Sequence, residues 1–98
     1  MMKLAPKQIG GAEVICFAII DSRTYPTDKC KHVVGGVLQG PASGLAICQY
    51  EGESSFYLFG CDQNWQSITD TWHETFEDAK NQAEIEYTGV SKAWQQIS

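Results

Sequence analysis

Cys30 and His32 stand one residue apart in "KCKH" and present the first chemistry to weigh. Joined by Cys61 and His73 they would offer zinc two sulfurs and two imidazoles. No Cys-x2-Cys and no His-x3–5-His pair supports that set, so neither a metal nor another cofactor is expected. The same residues suggest a thiol nucleophile. Lys29 and Lys31 flank Cys30 and would favour its thiolate, with His32 or His73 as base. Nothing in the linear sequence brings these groups together, and no catalytic residue is assigned. Gly-x-Ser-x-Gly, Gly-x-Gly-x-x-Gly and phosphate-loop patterns are absent. Gly35, Gly36 and Gly40 lack a phosphate cradle's spacing and following helix, and read as distortions of a strand.

A second group is Asp70, Trp72 and His73. On a strand, Asp70 and Trp72 face one way and Thr71 and His73 the other. Trp65 has the parity of His73, unless a turn or bulge within "SITD" shifts it. Tryptophan is enriched in binding hot spots, although a core role competes with that one. Ile85 breaks its own helix pattern and offers a further apolar contact. The candidate binding residues are therefore Trp65, Asp70, Trp72, His73 and Ile85, with Cys30 and His32 as loop candidates.

The elements that must hold these residues follow from pattern. Glu13 to Ile20 reads as a central strand, apolar along nearly its whole length. Asp21 to His32 is a polar loop containing Pro26, long enough to be functional. "VVGGVLQG" (33–40) and "GLAICQYE" (44–51) read as two strands around "PAS". "SFYLFGC" (55–61) is the strongest strand, "DQN" a turn, and "WQSITDTW" (65–72) strand-prone. Short connections between successive strands favour an antiparallel meander.

From Phe76 the period becomes helical. Thr75 with Asp78 three residues on fits a capping pair, and Glu74, Glu77 and Asp78 suit the positive end of the helix dipole. At roughly 100° per residue, Phe76, Ala79, Ala83 and Tyr87 fall within an arc of about 80°, with Ile85 on the opposite side. The helix is expected over 76–88 with Gly89 as its cap. Most of the acidic cluster is thereby explained as capping and wetting a helix. In the tail, Val90, Trp94 and Ile97 are expected to pack back.

Ninety-eight residues predict one domain. The net charge of −5 is uneven: residues 1–50 carry +2 and residues 51–98 carry −7. That balance argues against nucleic-acid binding and suits a basic partner. The longest apolar run, "VICFAII", is strand length, so no membrane crossing is expected. "MMKLAPKQIGGAE" shows no apolar segment leading to a cleavage site, which predicts a cytoplasmic protein. Cys16, Cys48 and Cys61 sit in apolar strand contexts and read as reduced core residues.

The run from Phe56 to Trp94 resembles a family of small uncharacterised bacterial proteins. The matching positions are Cys61, Asp62, Trp65, Asp70, Thr71, Trp72, His73, Thr75, Ala79, Gln82, Ala83, Glu86, Tyr87 and Trp94. The resemblance covers about forty residues and none of the first fifty. It implies no activity, since the family has none assigned. Some such small acidic proteins look like immunity proteins of toxin systems, an analogy that raises the weight of a binding role.

The expectation is an α+β domain: a mainly antiparallel sheet of four or five strands, with one C-terminal helix across a face. The expected function is a non-enzymatic protein–protein interaction module, an immunity-like inhibitor or a homodimer. The competing expectation is a small-molecule-binding or cysteine/histidine-dependent catalytic domain around Cys30, His32 and His73.

Overall fold

The apolar run near the N-terminus forms the strand on which the sheet is built. In the computed structural model, which describes residues 3–27, 32–38 and 40–97, it spans Ala12–Ile19 (β2), preceded by a two-residue strand Gln8–Ile9 (β1). β2 pairs with Gly44–Gln49 (β6), which pairs with Phe56–Cys61 (β7), which pairs with Ser67–His73 (β8). All these pairings are antiparallel. The other side of β2 is shared by β1 and by Gln95–Gln96 (β10), so the sheet has six strands among the described residues. The helix Phe76–Glu86 (α1) follows β8. The α+β architecture and the β6–β7–β8 meander agree with the expectation, and β1 and β10 enlarge the sheet.

One expected strand is instead a hairpin. Val33–Val34 (β4) and Val37–Leu38 (β5) pair with each other, not with β6. Gly35 and Gly36 have φ of +59° and +81°. Positive φ at both central residues is the geometry of a tight type I′ turn, which glycine adopts without strain. Within the loop that precedes it, Tyr25–Pro26 (β3) pairs with Tyr87–Thr88 (β9), just beyond the helix.

Both faces of the sheet are buried along much of its area, and two bulges decide which residues meet. In the β2–β6 ladder Val14 pairs with Cys48 and Cys16 with Ile47, leaving Ile15 extra. Parity therefore flips along β2. Ala12, Val14 and Phe17 join Ala46, Cys48, Phe59 and Trp65 in one cluster. Cys16 and Ala18 join Leu45, Ile47 and Leu58 in the other, beneath the helix.

The helix sits as its stripe requires. Ala79 and Ala83 are fully buried, and Phe76 and Tyr87 pack into the same cluster. Alanine at the middle two positions lets the helix backbone approach the sheet closely. Thr75 is the N-cap, its hydroxyl accepting from Asp78 N at 3.0 Å. The helix ends at Glu86, two residues earlier than expected, because Tyr87 is drawn into the extended pairing with Pro26. Gly89 (φ +87°) then precedes a 3-10 turn, Val90–Lys92. Val90 is fully buried, and Trp94 and Ile97 pack against the two clusters, as expected for the tail. No described helix is long and apolar enough to cross a membrane.

Candidate functional site

The β7–β8 ladder sets the geometry of the C-terminal candidates. Tyr57 pairs with Trp72 and Phe59 with Asp70, while Phe56 pairs with His73 and Leu58 with Thr71. Asp70 and Trp72 therefore share the face of the Trp65 cluster, and Thr71 and His73 share the helix face. Gly60 pairs with Thr69 but Cys61 with Ser67, so Ile68 is a bulge. That bulge brings Trp65 to the same face as Asp70 and Trp72, the shift that the sequence left open.

Trp65 nevertheless does not stand beside Trp72 in solvent. It is buried, its ring edge-on to Phe17 at 5.6 Å, and its indole N–H donates to the Lys3 carbonyl at 2.8 Å. Its backbone is left-handed (φ +61°), an uncommon conformation for a bulky residue. Asp62 accepts from the amides of Asn64 and Gln66 and so fixes this turn. Trp65, Ile9, Ala5 and Ile97 close the face over β2 and β6.

Over β7 and β8 the face is not closed. Trp72 is 58% exposed and Asp70 is exposed. Tyr50 and Tyr57 are half-buried, edge-to-face at 5.3 Å, and Tyr57 stacks on Phe59 at 6.1 Å. Partial desolvation, followed by the nearby Glu53, Tyr50 and Asp70, holds the Tyr57 phenol above its ordinary pKa. The result is an aromatic patch edged by carboxylates. β8 is also the last strand of the sheet, and among the described residues no strand pairs with its outer side. Along its seven residues the alternate amide and carbonyl groups that do not face β7 point to this outer side, where the Ser67 hydroxyl donates to the Thr69 carbonyl.

A different polar group lies under the helix. Glu86 is buried, with His32 Nε2 2.6 Å from Oε1 and Gln82 Nε2 donating to Oε2 at 2.9 Å. The Tyr87 hydroxyl accepts from Ala42 N at 2.8 Å. His73 is half-buried, its Nε2 2.6 Å from the Thr71 hydroxyl. Desolvation lowers the His73 pKa against the opposing pull of Asp78 and Glu86. Both histidines therefore face the region of Glu86, a residue that sequence reasoning did not single out. Its pairing with His32 spans 54 residues and leaves no local signal. A cavity of about 180 Å³ adjoins this group.

Cys30 lies outside the described residues. Cys16, Cys48 and Cys61 are buried free thiols. Burial pushes their pKa values up to about 11, 12 and 12. Thiols so displaced are not nucleophiles at neutral pH. Among the described residues no group of three His, Cys, Asp or Glu side chains is arranged to hold a metal ion. Ile85, on the helix, is 48% exposed.

Comparison of the chain with known protein families, with curated proteins and with solved structures found no match.

Proposed function

We propose that this protein is a non-enzymatic protein–protein interaction module of bacterial type, working in the cytoplasm, and that it meets its partner at β8. The observation that carries this reading is an edge strand, with no strand on its outer side among the described residues, that also bears an exposed tryptophan. An open edge offers main-chain hydrogen bonds to an added strand, and an adjoining side-chain patch gives that strand its register. An immunity-like inhibitor is one form such a module takes. The resemblance of residues 56–94 to small bacterial proteins, and a core holding three free thiols, support the bacterial and cytoplasmic parts of the reading.

Site-specific photocrosslinking tests it. A photoreactive phenylalanine at position 72 is expected to give one discrete adduct in cells, whereas the same group at Glu84 on the helix surface gives none. An adduct of twice the chain mass identifies a second copy as the partner. Failure to capture any protein at position 72, or identical adducts from both positions, overturns the reading.

The His32–Glu86 pair favours a second reading, a small-ligand or acid–base site beneath the helix. Two observations rank it behind the first. The cavity of about 180 Å³ falls short of the roughly 300–1,000 Å³ of ordinary ligand pockets. Both carboxylate oxygens of Glu86 are also already engaged, one by His32 and the other by Gln82. A metabolite that raises the melting temperature of the protein but not that of Glu86→Gln would promote this second reading. A panel in which the two melt alike removes it.

A further inference from the structure

The chemistry around β8 narrows the class of partner. Asp70 and Trp72 are two residues apart on the exposed face, a spacing of roughly 7 Å along a strand. A strand laid against the open edge would set every second side chain beside them on that face. The first would meet a carboxylate, and the next the face or edge of an indole. Tyr57, directly across from Trp72, and Tyr50 beyond it extend the aromatic ground, and Glu53 adds a second carboxylate next to Tyr57. Carboxylates and electron-rich rings attract the same kind of group, a cation with an apolar stem. Arginine fits both neighbours, as it pairs with carboxylate and stacks on aromatic rings.

We propose, building on the reading of β8 as an interaction edge, that the partner contributes an extended segment with basic side chains at alternate positions. It adds as a strand beside β8, one cation against Asp70 and the next over Trp72 and Tyr57. The charge of the chain favours this occupant over a second copy. Antiparallel pairing of β8 with itself about a two-fold axis at Asp70 would put Asp70 against Asp70. It would also join two surfaces drawn from the −7 half of the sequence. A polyanion such as nucleic acid meets the same repulsion.

The test uses the full ¹⁵N-labelled chain and three blocked nonapeptides in which valine alternates with arginine, glutamine or glutamate. The arginine peptide is expected to shift and protect the amides of residues 67–73, with an affinity at least tenfold above that of the glutamine peptide. The glutamate peptide is expected to leave those amides unmoved. Trp72→Ala is expected to weaken the arginine peptide at least tenfold while the spectrum stays folded. Asp70→Lys is expected to reverse the order of the arginine and glutamate peptides. Equal binding of the arginine and glutamine peptides at residues 67–73 overturns the basic partner but leaves β8 as an interaction edge. Perturbations by the arginine peptide confined to other amides, or none from any peptide, overturn both.

Discussion

Trp72 lies directly across from Tyr57 in the β7–β8 ladder, yet the indole is 58% exposed while the phenol beneath it is half-buried. A large apolar side chain held on a sheet and left in water adds little to folding. Trp72→Ala is accordingly expected to cost less than about 1 kcal/mol of stability, the usual worth of a cross-strand pair. The loss at the interface is expected to exceed about tenfold in partner affinity, the mark of a hot spot. Chemical denaturation and a binding titration on the same variant measure both quantities. A large loss of stability would reassign Trp72 to the core.

The helix seam predicts the opposite balance. Ala83 is fully buried between α1 and the sheet. Ala83→Leu is expected to destabilise the fold by about 1–3 kcal/mol through overpacking. Thr75→Ala, which removes the acceptor for Asp78 N, is expected to cost about 1 kcal/mol. The sites have separate partners, so the double variant should show nearly additive effects in urea denaturation.

His73 gives a pH dependence whose sign can be worked out. Its folded pKa is depressed, so the folded protein favours the neutral ring. At pH values below the unfolded pKa of roughly 6.5, the unfolded chain binds more protons. The contribution of His73 to stability is therefore whole above that value and declines as pH falls through the depressed folded pKa. Titration of the ring protons by NMR is expected to place its midpoint below that of a free histidine. His73→Gln should flatten the loss of stability as pH falls below roughly 6.5. A midpoint at or above the free value refutes the desolvated placement.

The three buried thiols make a labelling prediction. In a Cys30→Ser background, Cys16, Cys48 and Cys61 are expected to ignore a thiol reagent at pH 8 while the protein is folded. All three should react once denaturant opens the core. Fast labelling of any one of them in the native protein would contradict its burial.

Glu86 and His32 are expected to be coupled. Removing the imidazole deprives a buried carboxylate of a partner at 2.6 Å, and His32→Ala is expected to cost about 1–3 kcal/mol. A double-mutant cycle with Glu86→Gln should show coupling on the order of 1 kcal/mol. Additive effects would mean that the two residues contribute independently.

What the sequence determined by itself was local. Thr75 and Asp78 fix the start of the helix because a cap and its amide lie three residues apart. Phe76, Ala79 and Ala83 form one seam because a 3.6-residue period puts them on one side. The alternation after Asp70 likewise separates Trp72 from His73, and the apolar context of Cys16, Cys48 and Cys61 places them in the core. Tertiary structure decided whatever depends on distant partners. "VVGGVLQG" reads as one strand distorted at its glycines, whereas the positive φ of both Gly35 and Gly36 folds it into a hairpin. The bulges at Ile15 and Ile68 are pairing mismatches between strands, so neither strand's own residues announce them. Glu86 meets His32 only because the chain returns after 54 residues. The exposed status of β8 belongs to the order of strands in the sheet: a strand's composition specifies its two faces, whereas its neighbours alone decide whether its outer edge is left unpaired.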